Sequence, residues 1–228
     1  MSDRIDPVEL RDLAGSVAHD VGRFLLDELG APADQTKSSP TDLVTAVDRA
    51  AERRIVDALR AERPADGFKG EEGTDVARSS RVRWIIDPID GTHHYMRGVP
   101  VYATLIALEI DGQLAVGAVS APALHRRWFS WGDGDAWAVD TVPGGWDRDS
   151  AMALTVSDVD RLEAASVVYS SYPSIVESGW APGFGQMLGR VWRDRGLGDF
   201  YGYMLVAEGA AEVMIESELK IWDLAGPR

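Results

Sequence analysis

The sequence predicts an α/β fold of the α+β kind, with helices layered on sheets, and three observations carry that prediction. Two N-terminal stretches repeat apolar residues at helical spacing, two long apolar runs flank Asp111-Gly112, and short strand-like and helix-like runs alternate after residue 150. No internal repeat or low-complexity tract interrupts this order.

In the first helix, "DPVELRDLAGSVAHDVGRFLLDELG", Asp6 is placed to cap, Pro7 suits the first helical position and Glu9 completes a capping-box pattern. Leu10, Leu13, Val17, Val21, Phe24, Leu25 and Leu29 share one face, and Gly30 and Pro32 end the helix. Leu43 and Val44 read as extended. Thr45 then opens a second helix, with Asp48 as its box partner, Ala51, Ile55, Ala58 and Leu59 as its stripe and Pro64 as its stop. A short strand near Phe68 leads to "GEEGT", and "VRWIID" leads to "DPIDGTHHY". The stretch "VYATLIALEIDGQLAVGAVSAP" is a hairpin turned by Asp-Gly, and "RRWFSWGDGDAWAVD" is a further pair of strands. Residues 140–150, rich in Pro, Gly and Asp, separate two halves of one compact unit, 1–145 and 146–228. In the second half "ASVVYSSYP" and "AEVMIE" read as strands, "DFYGYMLVAEGA" as a helix and "WDLAGPR" as the start of another.

Composition narrows the function. The 228 residues are 45% hydrophobic and 26% charged, ordinary for a globular protein, and carry a formal net charge of −14. That charge argues against nonspecific nucleic-acid binding, which needs a basic face, but suits carboxylates gathered around cations. The absence of cysteine excludes disulfides, Cys-ligated metals and thiol nucleophiles. The acidic, polar N-terminus shows no signal-peptide pattern and no apolar run is long enough to span a bilayer, so a cytoplasmic protein without a membrane partner is expected.

The chemistry concentrates in "WIIDPIDGTHHY". Taken alone, Asp87-Pro88 and Asp90-Gly91 are ordinary turn dipeptides. Glu71 and Glu72, however, also follow a strand. If both strands lie in one sheet, Glu71, Asp87 and Asp90 come together at its end. Carboxylates so gathered repel each other, so either cations neutralise them or their pKa values rise. An all-oxygen cluster suits Mg²⁺, which keeps open positions for phosphate oxygens. Gly91 and Thr92 offer backbone N–H groups where a turn opens, a cradle for an anion.

Four motifs in order, "DLVTAVD", "GEE", "WIIDPIDGT" and "WDLAG", make the sequence resemble the inositol monophosphatase superfamily of Mg²⁺-dependent, lithium-sensitive phosphatases, from about residue 6 to the end. The resemblance implies an αβαβα sandwich. It implies that Glu71, Asp87, the Ile89 carbonyl, Asp90 and Asp223 bind two or three Mg²⁺ ions, with Mn²⁺ as an alternative. Thr92 with Asp48, helped by Glu72, would orient the attacking water, and the Gly91 and Thr92 amides would hold phosphate. Lys37 matches a family lysine near the site. The implied reaction is in-line attack of a metal-activated water on a small phosphorylated metabolite, without a covalent phosphoenzyme. A homodimer is implied as well.

Further stretches, among them "RGVPVYATLIALE", "VVYSS" and "GDFYGYMLVAEGAAEVMIE", resemble the actinobacterial type of histidinol-phosphatase. On that resemblance Glu216, Asp199 and Arg195 are candidate substrate contacts, Glu216 for the substrate's polar groups and Asp199 for the amine of histidinol, whose amine and imidazole suit an acidic pocket. Plainer readings stand beside these: Glu216 as a solvated strand end, Asp199 as a cap for a helix from Phe200, and Trp128, Trp131 and Trp137 as sheet packing. The pattern also breaks twice. His93, His94 and Tyr95 replace the family's usual Lys or Thr, Asn and Phe, and adjacent histidines also suit a softer cation such as Zn²⁺ or Mn²⁺. The family pattern continues beyond "WDLAG", so its last C-terminal elements are expected to be missing here, leaving Asp223 on barely one helical turn. Two other functions fit: a cyclitol phosphatase, and a catalytically weak relative that binds phosphorylated ligands.

Overall fold

Asp6 Oδ1 accepts a hydrogen bond from Val8 N at 2.9 Å and Pro7 fills the first turn, so the first helix, α1 (Pro7–Asp27), starts where its cap dictates. In this computed structural model, residues 6–29, 33–36, 43–77, 79–132, 134–141 and 150–228 are described. They form two compact units. One comprises Met1–Ala153 with Ile221–Arg228, the other Leu154–Lys220.

In the first unit α1 is followed by β1 (Ala33–Thr36), β2 (Leu43–Thr45), α2 (Ala46–Glu62), β3 (Gly67–Gly70), β4 (Asp75–Val76), β5 (Val82–Asp90) and α3 (Thr92–Met96). Then come β6 (Ala103–Ile110), β7 (Gln113–Ala121), β8 (Arg126–Trp131), β9 (Asp135–Asp140) and β10 (Met152–Ala153). Eight of these strands make one sheet in the order β10-β9-β8-β7-β6-β5-β3-β4, antiparallel except where β3 runs parallel to β5. The β6–β7 hairpin turns at Asp111 (φ 52°) and Gly112 (φ 84°), the paired positive φ values that a two-residue turn needs to match strand twist.

Strand alternation sorts the side chains. Trp84, Ile86, Ile106 and Leu108 join Leu10, Val17, Val21, Leu25, Ile55 and Leu59 of α1 and α2 in the main core. Ile85 and Ala107 point the other way and pack against Trp222 and Ala225 of the last helix. The expected apolar stripes need two corrections. Leu29 is 46% exposed because α1 has already ended, and Val56 rather than Ala58 completes the buried face of α2.

The second unit contains β11 (Ser166–Tyr169), α4 (Tyr172–Glu177), α5 (Ala181–Leu188), β12 (Arg193–Arg195), α6 (Asp199–Ala207) and β13 (Val213–Ile215). The last helix, α7 (Ile221–Ala225), returns to the first unit. The three strands form a parallel sheet in the order β12-β11-β13, with Val167, Val168, Ile175, Phe184, Phe200 and Met204 buried around it. β12, "RDR", carries no apolar run and so gives no strand signal. Among the described residues, no helix is long and apolar enough to cross a membrane.

One polar knot lies inside the first unit. Trp84 Nε1 donates to Asp66 Oδ2 at 3.0 Å, and the same carboxylate accepts from Ser80 Oγ and the Arg63 guanidinium. Asp66→Ala should strand the buried indole N–H and cost about 1–3 kcal/mol, read as a lower urea midpoint with an unchanged slope.

Candidate active site

The strand β5 does not stop at Asp87. It runs on through Asp90, and its pairing with β6 slips: Asp87 faces Leu105 and Asp90 faces Ala103, so three steps on one strand meet two on the other. That is a β-bulge, and Pro88, which has no N–H to give a ladder, sits inside it. Thr104 lies between the two partners, fully buried, and its hydroxyl donates to the Pro88 carbonyl at 3.0 Å. This bond ties down the bulge. Gly91 then takes a left-handed φ of 80° as the N-cap of α3, a geometry that favours glycine.

The bulge sets the two acids differently. Asp87 is buried at 2% exposure, while Asp90 is half-buried. Alternation carries Asp87 to the Ile85 face of the sheet, where α7 packs with Asp223 in its first turn. Two glycines seat that helix. A Cβ on Gly117 would meet the Gly226 carbonyl at 2.5 Å, and one on Gly226 would meet Leu105 Cβ at 3.0 Å. Glu71 follows β3, and its N–H donates to the Ile86 carbonyl at 3.1 Å, extending the ladder one residue beyond the strand.

Burial, then the charges of Glu71, Asp90 and Asp223, raise the Asp87 carboxyl well above its ordinary value, and a hydrogen bond with Glu71 raises it further. Four of the expected acids therefore share one field. Asp87 Oδ1 is buried without a hydrogen-bond partner among the described residues, an oxygen with unused capacity in an all-oxygen donor set. That chemistry fits a hard divalent cation. Among the described residues, no group of three or more Asp, Glu or His side chains could hold a metal ion as it stands. The acids are thus neighbours in electrostatic reach rather than a closed coordination shell.

A second cluster adjoins them. Thr92 Oγ1 lies 3.2 Å from Asp48 Oδ1 and 2.9 Å from the Ile89 carbonyl. Asp48 is buried on the first turn of α2, where the capping-box partnership with Thr45 was expected. Thr45 ends β2 directly before α2 with its side chain outside the described residues, and Asp48 reaches across to Thr92. Glu72 is half-buried in the loop after β3.

The substrate candidates lie in the second unit. Asp199 does not cap a helix from Phe200: the cap is Gly198, and Asp199 is the first helical residue, held at φ 56°. Such a conformation in a non-glycine residue is strained unless the residue is Asn or Asp. Tyr203, one turn further along α6, donates its hydroxyl to Glu216 Oε2 at 2.7 Å. Gly202 lets α6 and β13 approach, since a Cβ there would lie 2.4 Å from Met214 Sδ. Glu216 is thus a held, half-buried carboxylate rather than a solvated strand end. Arg195 is exposed and donates to its neighbour's Asp194 carbonyl. Lys37 lies outside the described residues. Trp128 is buried in the sheet, and Trp131 stacks on Trp137 at 6.1 Å with the Arg11 guanidinium 4.1 Å from its own ring centroid, which is packing rather than a cage.

The sequence reading missed Thr104, Tyr203 and a second buried acid on α2, Glu52. Only Glu52 had a signal. It stands one turn from Asp48, and like charges at that spacing destabilise a helix unless each finds its own partner.

A model of the inositol monophosphatase family matches residues 6–228. A histidinol-phosphatase of Streptomyces coelicolor is 46% identical over 195 residues, covering 84% of this chain and 70% of that protein. A histidinol-phosphatase of Mycobacterium tuberculosis is 44% identical over 187 residues, covering 80% and 68%. Among solved structures, the native extragenic suppressor protein suhB of Bartonella henselae superposes with a TM-score of 0.82 at 26% identity, covering 95% of this chain and 81% of that one.

The raised Asp87 carboxyl has a consequence for stability. The folded state favours the protonated form, so the metal-free protein should lose stability as pH rises from the ordinary carboxyl value near 3.8 towards the raised folded value. Asp87→Asn removes that dependence. In EDTA its melting temperature should exceed that of the parent by a margin that grows from pH 4 to pH 7, measured by circular dichroism. Equal melting temperatures at pH 7 would contradict the buried-charge account.

Proposed function

The chain belongs to the inositol monophosphatase family, and we propose that within it the protein is a metal-dependent phosphatase that converts L-histidinol phosphate and water to L-histidinol and phosphate. The reading is supported by the carboxylate field around Asp87, with its buried unpartnered oxygen, beside the Thr92–Asp48 pair. The substrate follows from the two histidinol-phosphatases that share 46% and 44% of their aligned residues with this chain.

We assign Glu71, Asp87, Asp90, Asp223 and the Ile89 carbonyl to holding Mg²⁺. Bound there, the cations supply Lewis acidity and neutralise charge on the phosphate. The remaining work falls to the chain's own groups. The Thr92 hydroxyl has one proton and two acceptors in reach, Asp48 Oδ1 and the Ile89 carbonyl. With the carbonyl committed elsewhere, the proton turns to Asp48. The Thr92 oxygen is then left as an acceptor that orients a water for in-line attack, and Asp48 is the final acceptor of its proton. Glu72 helps to orient that water, and the Gly91 and Thr92 amides hold phosphate oxygens at a helix start, where N–H groups have no partner within the helix. Asp199 and Glu216 are assigned to the ammonium group of histidinol, and Arg195 to its vicinity. A homodimer and a cytoplasmic location complete the proposal.

Asp90→Asn should lower kcat for L-histidinol phosphate by more than about 100-fold with the fold intact, since a ligand should matter more than the outer-shell groups whose loss costs 10–100-fold. EDTA should abolish phosphate release and added Mg²⁺ restore it, and near-normal turnover by the variant would remove Asp90 from the site. For the amine, Asp199→Asn is the informative change, because Asn tolerates the left-handed backbone while losing the charge. It should raise KM for L-histidinol phosphate about tenfold, the effect of roughly 1.4 kcal/mol, and leave KM for inositol 1-phosphate nearly unchanged. A parental preference for the inositol ester would keep the chemistry and move the substrate to cyclitols.

A further inference from the structure

We propose that Glu52 is a positioning residue for the acids that follow β3, holding the 70–74 turn as an internal anion. The proposal rests on the reading of Glu71 and Glu72 as working groups. Glu52 is 3% exposed, and its two carboxylate oxygens divide their work. Oε2 accepts from Glu72 N at 2.7 Å and Oε1 accepts from Thr74 N at 2.9 Å. The turn closes on itself as well, with Gly70 N donating to the Thr74 carbonyl at 2.7 Å and Gly73 at φ 112°. N–H groups converging in such a turn form a nest of the kind that binds phosphate or sulfate in other proteins. Here a side-chain carboxylate occupies that place.

Gly70 makes the arrangement possible. A Cβ at that position would lie 2.3 Å from Glu52 Oε2 and 2.5 Å from its Cδ, so no side chain fits while the carboxylate stays in place. Glu71 is consequently fixed on both sides. Its own N–H is bound to β5 through the Ile86 carbonyl, and the next residue's N–H is bound to α2 through Glu52. One turn earlier on the same helix, Asp48 reaches Thr92. A single rigid helix therefore sends one acid to each of two chain segments, and the spacing between Asp48 and Glu52 sets the spacing between Thr92 and the Glu71 turn.

The test is Mg²⁺ titration of the purified protein, followed by tryptophan fluorescence and calorimetry, for Glu52→Gln and Gly70→Ala. Glutamine has one acceptor oxygen where two N–H groups must be met, and alanine displaces the carboxylate without removing its charge. Both variants should raise the Mg²⁺ midpoint about tenfold or more, with kcat falling and KM for L-histidinol phosphate little changed. Asp66→Ala, which weakens the fold away from this turn, serves as control and should lower the melting temperature without moving the Mg²⁺ midpoint. If Glu52→Gln does not fold, Gly70→Ala carries the comparison. Folded variants with the parental midpoint would overturn the role of Glu52 and leave the phosphatase reading in place. A parent that binds no Mg²⁺ would overturn both.

Discussion

The repulsion among acids around Asp87 is the constraint on which the rest of the structure depends. Burial, and after it the charges of Glu71, Asp90 and Asp223, hold the Asp87 carboxyl out of its ordinary ionisation range, a perturbation of the kind that clusters at functional sites. The architecture supplies the containment. The bulge offsets Asp90 from Asp87 by one extra residue, Thr104 pins the Pro88 carbonyl, and α7 is drawn onto the opposite face by the contact of Gly117 with Gly226. Each device works against the tendency of like charges to part.

Much of the fold was legible because local chemistry and global need agree. The Asp6-Pro7 start of α1 and the Asp111-Gly112 turn are dictated by one or two residues whose preferences no tertiary contact overrides. β12 was illegible for the opposite reason. Its three residues are paired by the backbone of β11, and their charged side chains carry no trace of that pairing. The bulge was half legible: proline announces a break in the ladder, but only the partner strand reveals that the strand resumes.

The acids themselves were legible as candidates, and their supports were not. A motif names the groups that do chemistry, since few residue types can do it. A buried threonine that holds a carbonyl, or a tyrosine that holds Glu216, looks like any other polar residue until its partner is located. Asp48 shows the same: its spacing from Thr45 suggested a helix cap, and nothing in that spacing announced the long-range bond to Thr92.

The placement of Asp223 bears on how the protein is made. The other acids of the cluster are translated within the first ninety residues, yet the helix that completes it follows the whole of the Leu154–Lys220 unit. A nascent chain can build its large sheet early, since those strand pairs are mostly sequential neighbours. During that interval it carries a strand end crowded with acids and an uncovered Ile85–Ala107 face. The assembly of the site is therefore a late event in biogenesis, gated by the arrival of one short helix rather than by collapse of the core.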